Sequence, residues 1–244
     1  MSAAVVTVNG VPNIYIFGGF NRLWSSGFYS TTESGILSDV YRTRVVMQSG
    51  EPSLIDWTIS DQAVEPVSTI TQVTGGVAQP SAVKLYGAAA SQYYSPELNT
   101  TAVYLVGGTK PAGANSTAQE QNAYIAAVNN ATGAVTWLET GNMSAARSSH
   151  AGLISSRQIL VSGGTANPGA SPSEPDRTMG RGFINDDLTL YTEQQFTDIT
   201  RAPGWAAAAS RASRSTRDAL SASAAVSKSR SSTFTDVRST PACI

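Results

Sequence analysis

The chain has 244 residues, 41% of them hydrophobic and only 14% charged, which is enough to bury a sizeable core in one or two domains. A net charge of −1 gives no overall pull toward nucleic acid or an anionic membrane. The single cysteine, Cys243, excludes an internal disulfide, and no apolar run is long enough to span a bilayer as a helix.

In chain order, residues 3–8 read as a short apolar strand that ends at the hairpin signal Asn9-Gly10. Ile14-Tyr15-Ile16-Phe17 follows and closes on Gly18-Gly19. Four β-prone apolar residues in a row read as a strand covered on both faces, because a half-solvated strand would alternate. The glycines permit positive φ and a sharp turn at its end. Residues 20–36, rich in Ser, Gly and Thr, read as a long loop. A third strand is expected from Asp39-Val40-Tyr41 to about Met47. After the turn Ser49-Gly50-Glu51-Pro52, a fourth is expected over residues 54–59, with Trp57.

The pattern then restarts. Residues 86–93 read as a first strand, and residues 102–106 as a second that ends on Gly107-Gly108. Residues 109–120 read as loop, 122–128 as a third strand containing Tyr124, and 134–138 as a fourth containing Trp137. A third round begins at Arg147-Ser148-Ser149-His150. It has strands over 150–154, over 158–161 ending on Gly163-Gly164, and from Asp187 to 191. Its fourth strand is open, with Phe196 and Trp205 both candidates. Thr74-Gly75-Gly76 is a decoy, because Gln72 and Thr74 break the apolar run, so residues 60–82 read as an inter-sheet loop. Residues 206–244 mix Ser, Ala, Arg and Thr without period, which predicts a disordered or weakly helical tail.

Three units of one design make an all-β chain of repeated antiparallel sheets. The units resemble the kelch repeat of β-propellers. The resemblance rests on the glycine pairs Gly18-Gly19, Gly107-Gly108 and Gly163-Gly164, and on the third-strand openings Asp39-Val40-Tyr41, Asn122-Ala123-Tyr124 and Asp187-Leu188. It rests also on the downstream tryptophans Trp57 and Trp137, and on the lead-in Arg147 to His150. It implies about three four-stranded antiparallel blades over residues 3–59, 84–139 and 147–205, with the low-complexity tail at 206–244. Glycine-pair spacings of 89 and 56 residues are uneven and longer than usual for such repeats. Propellers have four to eight blades, so further blades, from a longer chain or by self-association, are expected to complete the ring.

What the resemblance implies for function is a non-enzymatic scaffold without cofactor. Its loops 20–36, 109–120 and 165–182 would share one face and meet a protein partner. The alternative is an extracellular carbohydrate-binding or galactose-oxidase-like propeller, a class that needs a metal held by His and Tyr. The single histidine, His150, argues against that and reads as a lead-in residue near a strand start. Asp186, Asp187, Glu174 and Asp176 form a weak candidate cation cluster, while Asp187 reads first as a strand opener. Gly180-Arg181-Gly182 reads as loop, since the rest of a phosphate loop is missing. Trp57 and Trp137 read as core, given their matched positions, rather than as sugar-stacking platforms.

Four sequons, at Asn99, Asn115, Asn130 and Asn142, fall in expected loops or turns and are candidate glycosylation sites. The compartment stays open: as written, Met1 to Gly10 lacks a basic region and an apolar core, while the sequons suit a secreted protein. Residues 201–244 carry seven Lys/Arg against two acids, a sparse basic tail that reads as solvated rather than nucleic-acid binding.

Overall fold

The computed structural model describes residues 1–20, 24–25, 28–29, 35–55, 66–113, 116–143, 145–165, 179–191 and 197–199. The chain divides into two units, Met1–Thr200 and Arg201–Ile244, and all described residues lie in the first. The expected tail at 206–244, Trp57, Trp205, Phe196, Cys243, Asn115, Glu174 and Asp176 lie outside them.

The fold is all β, with three larger antiparallel sheets, each built on a four-stranded up-and-down meander, the first joined by a short fifth strand. In sheet 1, β1 (Ser2–Val8) pairs with β2 (Val11–Phe20) across a two-residue turn. Asn9 and Gly10 take φ of 48° and 77° there, the left-handed pair that a tight hairpin demands. Next comes β5 (Ile36–Gln48), which pairs with β2, and then β6 (Glu51–Leu54). Sheet 2 is β10 (Ala89–Ser95), β11 (Thr100–Val106), β14 (Asn122–Asn129) and β15 (Val135–Asn142). Sheet 3 is β16 (Ala151–Ser155), β17 (Gln158–Ser162), β18 (Met179–Phe183) and β19 (Thr197–Ile199).

Sheet 2 lies between the other two, and its strands sort their side chains by alternation. Val103 and Leu105 of β11, with Tyr124, Ala126 and Val128 of β14, pack with Val6, Tyr15, Phe17 and Val40 of sheet 1. Ala102, Tyr104 and Val106, with Ala123 and Ile125, pack with Ile159 and Val161 of sheet 3. All five residues from Ala102 to Val106 are at most 1% exposed. Burial on both faces is what an unbroken apolar strand predicts, and stacking between two like sheets supplies it. Two tyrosines at the same repeat position hold these interfaces. The Tyr15 hydroxyl donates to the Gly133 carbonyl in the last turn of sheet 2, and Tyr104 donates to the Leu188 carbonyl beyond β18.

Several connections hold more structure than the sequence shows. Within residues 20–36, β3 (Trp24–Ser25) pairs with β4 (Phe28–Tyr29). The expected loop 109–120 contains the hairpin β12 (Thr109–Gly113) and β13 (Ser116–Gln119). The expected inter-sheet loop 60–82 contains β7 (Ser68–Thr69), paired with β5, and the hairpin β8 (Thr71–Thr74) and β9 (Val77–Ala82). Gly75-Gly76 is the turn of that hairpin, with φ of 61° and 72°.

Two strands move. The fourth strand of sheet 1 begins at Glu51 rather than Leu54, because Ser49 and Gly50 alone make the turn (φ 54° and 87°) and pairing resumes at Gln48↔Glu51. Pro52 is tolerated there on an edge strand. The third strand of sheet 3 is Met179–Phe183, so Asp187 does not open it. Asp187 instead caps the following turn, where its Oδ1 accepts from the Thr189 amide (3.0 Å) and hydroxyl (2.6 Å). By register, Gly180 holds in sheet 3 the place of Tyr41 and Tyr124 in sheets 1 and 2. Gly180 and Gly182 are therefore strand residues, not loop.

Candidate functional site

The repeat signature is a joint between sheets. All six signature glycines have positive φ, from 53° at Gly18 to 129° at Gly19. At the first two joints the backbone entering the next sheet crosses the glycine pair. Gly19 N–H donates to the Leu85 carbonyl (2.9 Å), and Gly108 N–H to the Arg147 carbonyl (2.8 Å). The entering residue then donates in turn, Leu85 to Leu37 O and Arg147 to Glu120 O. The contact is backbone on backbone. A Cβ at Gly18 would sit 2.3 Å from Leu85 O, and one at Gly107 2.5 Å from Arg147 O, closer than any side chain allows.

These contacts identify a lead-in to sheet 2 that carries neither the arginine nor the histidine of residues 147–150. Tyr86 exchanges backbone hydrogen bonds with Thr109, as Ser148 does with Thr165. Gly87 and Ser149 both take positive φ (66° and 55°). Leu85-Tyr86-Gly87-Ala88 is thus the counterpart of Arg147-Ser148-Ser149-His150. What recurs is backbone geometry, which any of these side chains permits once position three accepts a left-handed conformation.

From these joints the connections 20–36, 109–120 and 165–178 depart, the last shortened from the expected 165–182 because β18 begins at Met179. Their bases touch. Phe20 packs on Tyr86, with ring centroids 5.6 Å apart, and Tyr86 is bridged to Thr109. The Gln119 side chain, 8% exposed, donates to the Thr165 hydroxyl (3.0 Å) and to the Thr165 carbonyl. The described part of the 109–120 connection is a hairpin standing on a buried carboxylate. Glu120, 1% exposed, accepts from the Tyr124 hydroxyl (2.7 Å), Lys110 Nζ (3.0 Å) and the amides of Gln121 and Asn122. Burial alone would raise its pKa. The Tyr124 hydroxyl, the Asn122 amide and Lys110 outweigh burial and hold the carboxyl below the ordinary carboxylate range. Burial first, and the Glu120 charge second, push the Tyr124 phenol well up. With four donors on its two oxygens, Glu120 is an anchor rather than a base poised for substrate.

Beside it a cleft of about 610 Å³ opens between the β8–β9 hairpin and the base of β12, lined by Gln72, Lys84, Lys110, Glu120 and Tyr124 among others. The hairpin is held to sheet 2 by Glu139, whose carboxylate accepts from the Gly75 and Gly76 amides at 3.0 and 2.9 Å.

The remaining sequence candidates scatter. Asp39 lies in β5 and accepts from the Tyr41 hydroxyl at 3.3 Å. Trp137 packs edge-on to Phe17 in the core between sheets 1 and 2, and its indole N–H donates to Ser68 Oγ. Arg147 is fully buried. His150 stands just before β16 with its ring over Gly107. Asn99 is exposed in the turn after β10, Asn130 is half-buried in the turn after β14, and Asn142 is exposed at the end of β15. Among the described residues no three of His, Cys, Asp and Glu stand close enough to hold a metal ion. Lys110, Glu120, Tyr15 and Tyr104 are the contributors that sequence reading missed. Their only signal is position, since Tyr15 and Tyr104 sit three residues before their glycine pairs.

No family model matches the chain, and no curated protein matches it. Among solved structures, it is similar to a chain in the cryo-EM structure of RAG in complex with one melted RSS and one unmelted RSS. That similarity has a TM-score of 0.36 at 16% identity and covers 82% of this chain and 56% of that one, so the chain spans little more than half the length of the structure it matches.

Proposed function

We propose that this chain is a non-enzymatic scaffold of the kelch-propeller kind, which holds a protein partner with the connections that leave its glycine joints. The observation that carries this reading is the repeated joint itself. The same backbone crossing recurs at Gly18-Gly19 and Gly107-Gly108, and the bases of the connections that leave the joints touch through Phe20–Tyr86 and Gln119–Thr165. A rigid sheet stack that presents variable connections at one end is a surface for recognition, because loops change without cost to the core. The Lys110–Glu120–Tyr124 anchor supports the reading, since it fixes the base of the β12–β13 hairpin.

The test removes only the tip. Replacing residues 111–117 with Asn-Gly closes the hairpin across the Lys110↔Ala118 pair with a turn suited to two residues, and it spares Gln119 and Glu120. The variant keeps the parent's melting temperature and loses the proteins that the parent captures from a lysate of its source cells. Undiminished capture overturns the reading. Stoichiometric metal in the purified chain would favour the galactose-oxidase-like alternative instead.

A further inference from the structure

A second cleft, of about 760 Å³, lies at the other end of the strands, between the β1–β2 turn and the turns after β10 and β14. Its size is that of a small-molecule site. Its chemistry differs from that of the joint end, because none of its lining residues is charged. Asn9, Gln92, Asn99 and Asn130 supply amides, Thr101 a hydroxyl, and Tyr94 a ring that is 51% exposed.

The walls are built in advance. The Asn9 amide donates to the Asn130 carbonyl (2.6 Å) and the Asn130 amide to the Asn99 carbonyl (3.0 Å), so three turns from two sheets are tied together. The Thr101 hydroxyl donates to Asn130 Oδ1 (3.0 Å), which orients that side chain and leaves its Nδ2 as a donor. Asn9 and Asn99 are both held in the left-handed region, at φ of 48° and 45°.

We propose that this cleft binds a neutral oligosaccharide. Amides pair a donor with an acceptor, as neighbouring hydroxyls do, and an exposed phenol ring stacks on the apolar face of a sugar. A charged ligand would be stripped of water with nothing to compensate it. The site is independent of the partner surface proposed above.

The test uses the full chain made in bacteria, so that Asn99 and Asn130 carry no glycan. Cellohexaose, laminarihexaose, mannohexaose and hexagalacturonate are each titrated and followed by calorimetry and by amide shifts in NMR spectra. The expected result is that at least one neutral oligosaccharide binds, shifts the side-chain amides of Gln92 and Asn130, and binds more tightly than hexagalacturonate. Tyr94→Ala then weakens binding about tenfold. Gln92→Ala weakens it less, both variants keep the parent's melting temperature, and the chain shortened at 111–117 binds as the parent does. The proposal is overturned if none of the neutral sugars binds, if hexagalacturonate binds best, or if binding ignores both Tyr94→Ala and Gln92→Ala. Retained sugar binding by a shortened chain that has lost its protein partner separates the two proposals.

Discussion

Gly107 and Gly163 hold the same place in consecutive sheets and have nearly the same backbone, with φ of 59° and 73°. Their surroundings differ completely. A methyl group at Gly107 would meet the Arg147 carbonyl at 2.5 Å, the His150 ring at 2.7 Å and the Met143 methyl at 2.8 Å, whereas at Gly163 it would meet none of the described residues within 4 Å. The glycine pair therefore answers two separate demands. Every joint needs the left-handed turn, and only a joint crossed by the next sheet also needs the space. Gly18, with Leu85 O at 2.3 Å, sides with Gly107.

That comparison can be broken most forcefully at the joints themselves. Gly107→Ala adds a backbone clash to the strain of a left-handed alanine and should cost about 3–4 kcal/mol. Gly163→Ala carries the strain alone, about 1 kcal/mol. Urea denaturation of the two variants measures the gap, and equal losses would mean that the space at Gly107 is not needed. Next in size is Glu120→Gln beneath the β12–β13 hairpin, expected to cost about 2 kcal/mol at neutral pH. Because the folded carboxyl titrates below its unfolded value of about 4.3, its contribution is complete above that pH and fades as pH falls through the lower folded value. Stability curves of parent and variant should therefore converge on acidification, and a constant gap would argue against an ionised anchor.

Smaller still is Tyr104→Phe, which leaves the buried Leu188 carbonyl without its donor and should cost about 1 kcal/mol. Tyr15→Phe should match it, because Tyr15 makes the same bond to Gly133 across the preceding interface. A large inequality in their melting temperatures would show that the two interfaces are not built alike. The smallest effect is expected at Glu139→Gln, which loosens the β8–β9 hairpin from sheet 2 by about 0.5 kcal/mol. It should be read as faster exchange of the Gly75 and Gly76 amides with the joints unchanged.

How much of this could be read in the sequence follows from what each element relies on. Continuous apolar runs announce the strands Ile14–Phe17, Val103–Val106 and Ile159–Val161, but only Val103–Val106 is covered on both faces; Ile14, Ile16 and Leu160 stay half-exposed because sheets 1 and 3 each meet one neighbour among the described residues. Asn9-Gly10 turns as its composition demands. The register of Tyr41 and Tyr124 follows from the glycine pairs. The third strand of sheet 3 was illegible because Gly180 and Gly182 carry no side chains to show alternation, and pairing with β17 alone makes them a strand. The lead-in at Leu85 to Ala88 was hidden for the opposite reason, since its backbone is conserved across the repeat while its side chains are not those of Arg147 to His150. The hairpin at 109–119 contains Pro111 and Gly113, which composition assigns to loop, and a register shift between them absorbs both. The anchor on Glu120 depends on Lys110, ten positions away across that hairpin, and becomes visible only once β12 and β13 are paired.

Native-state hydrogen exchange tests the central claim most directly: sheet 2 is held between two like sheets through its joints. The amides of residues 103–106 and 124–128 should exchange only with global unfolding, more slowly than those of residues 159–161 and far more slowly than those of β9. Exchange of the sheet 2 amides through local opening, at or above the rate of sheet 3, would contradict it.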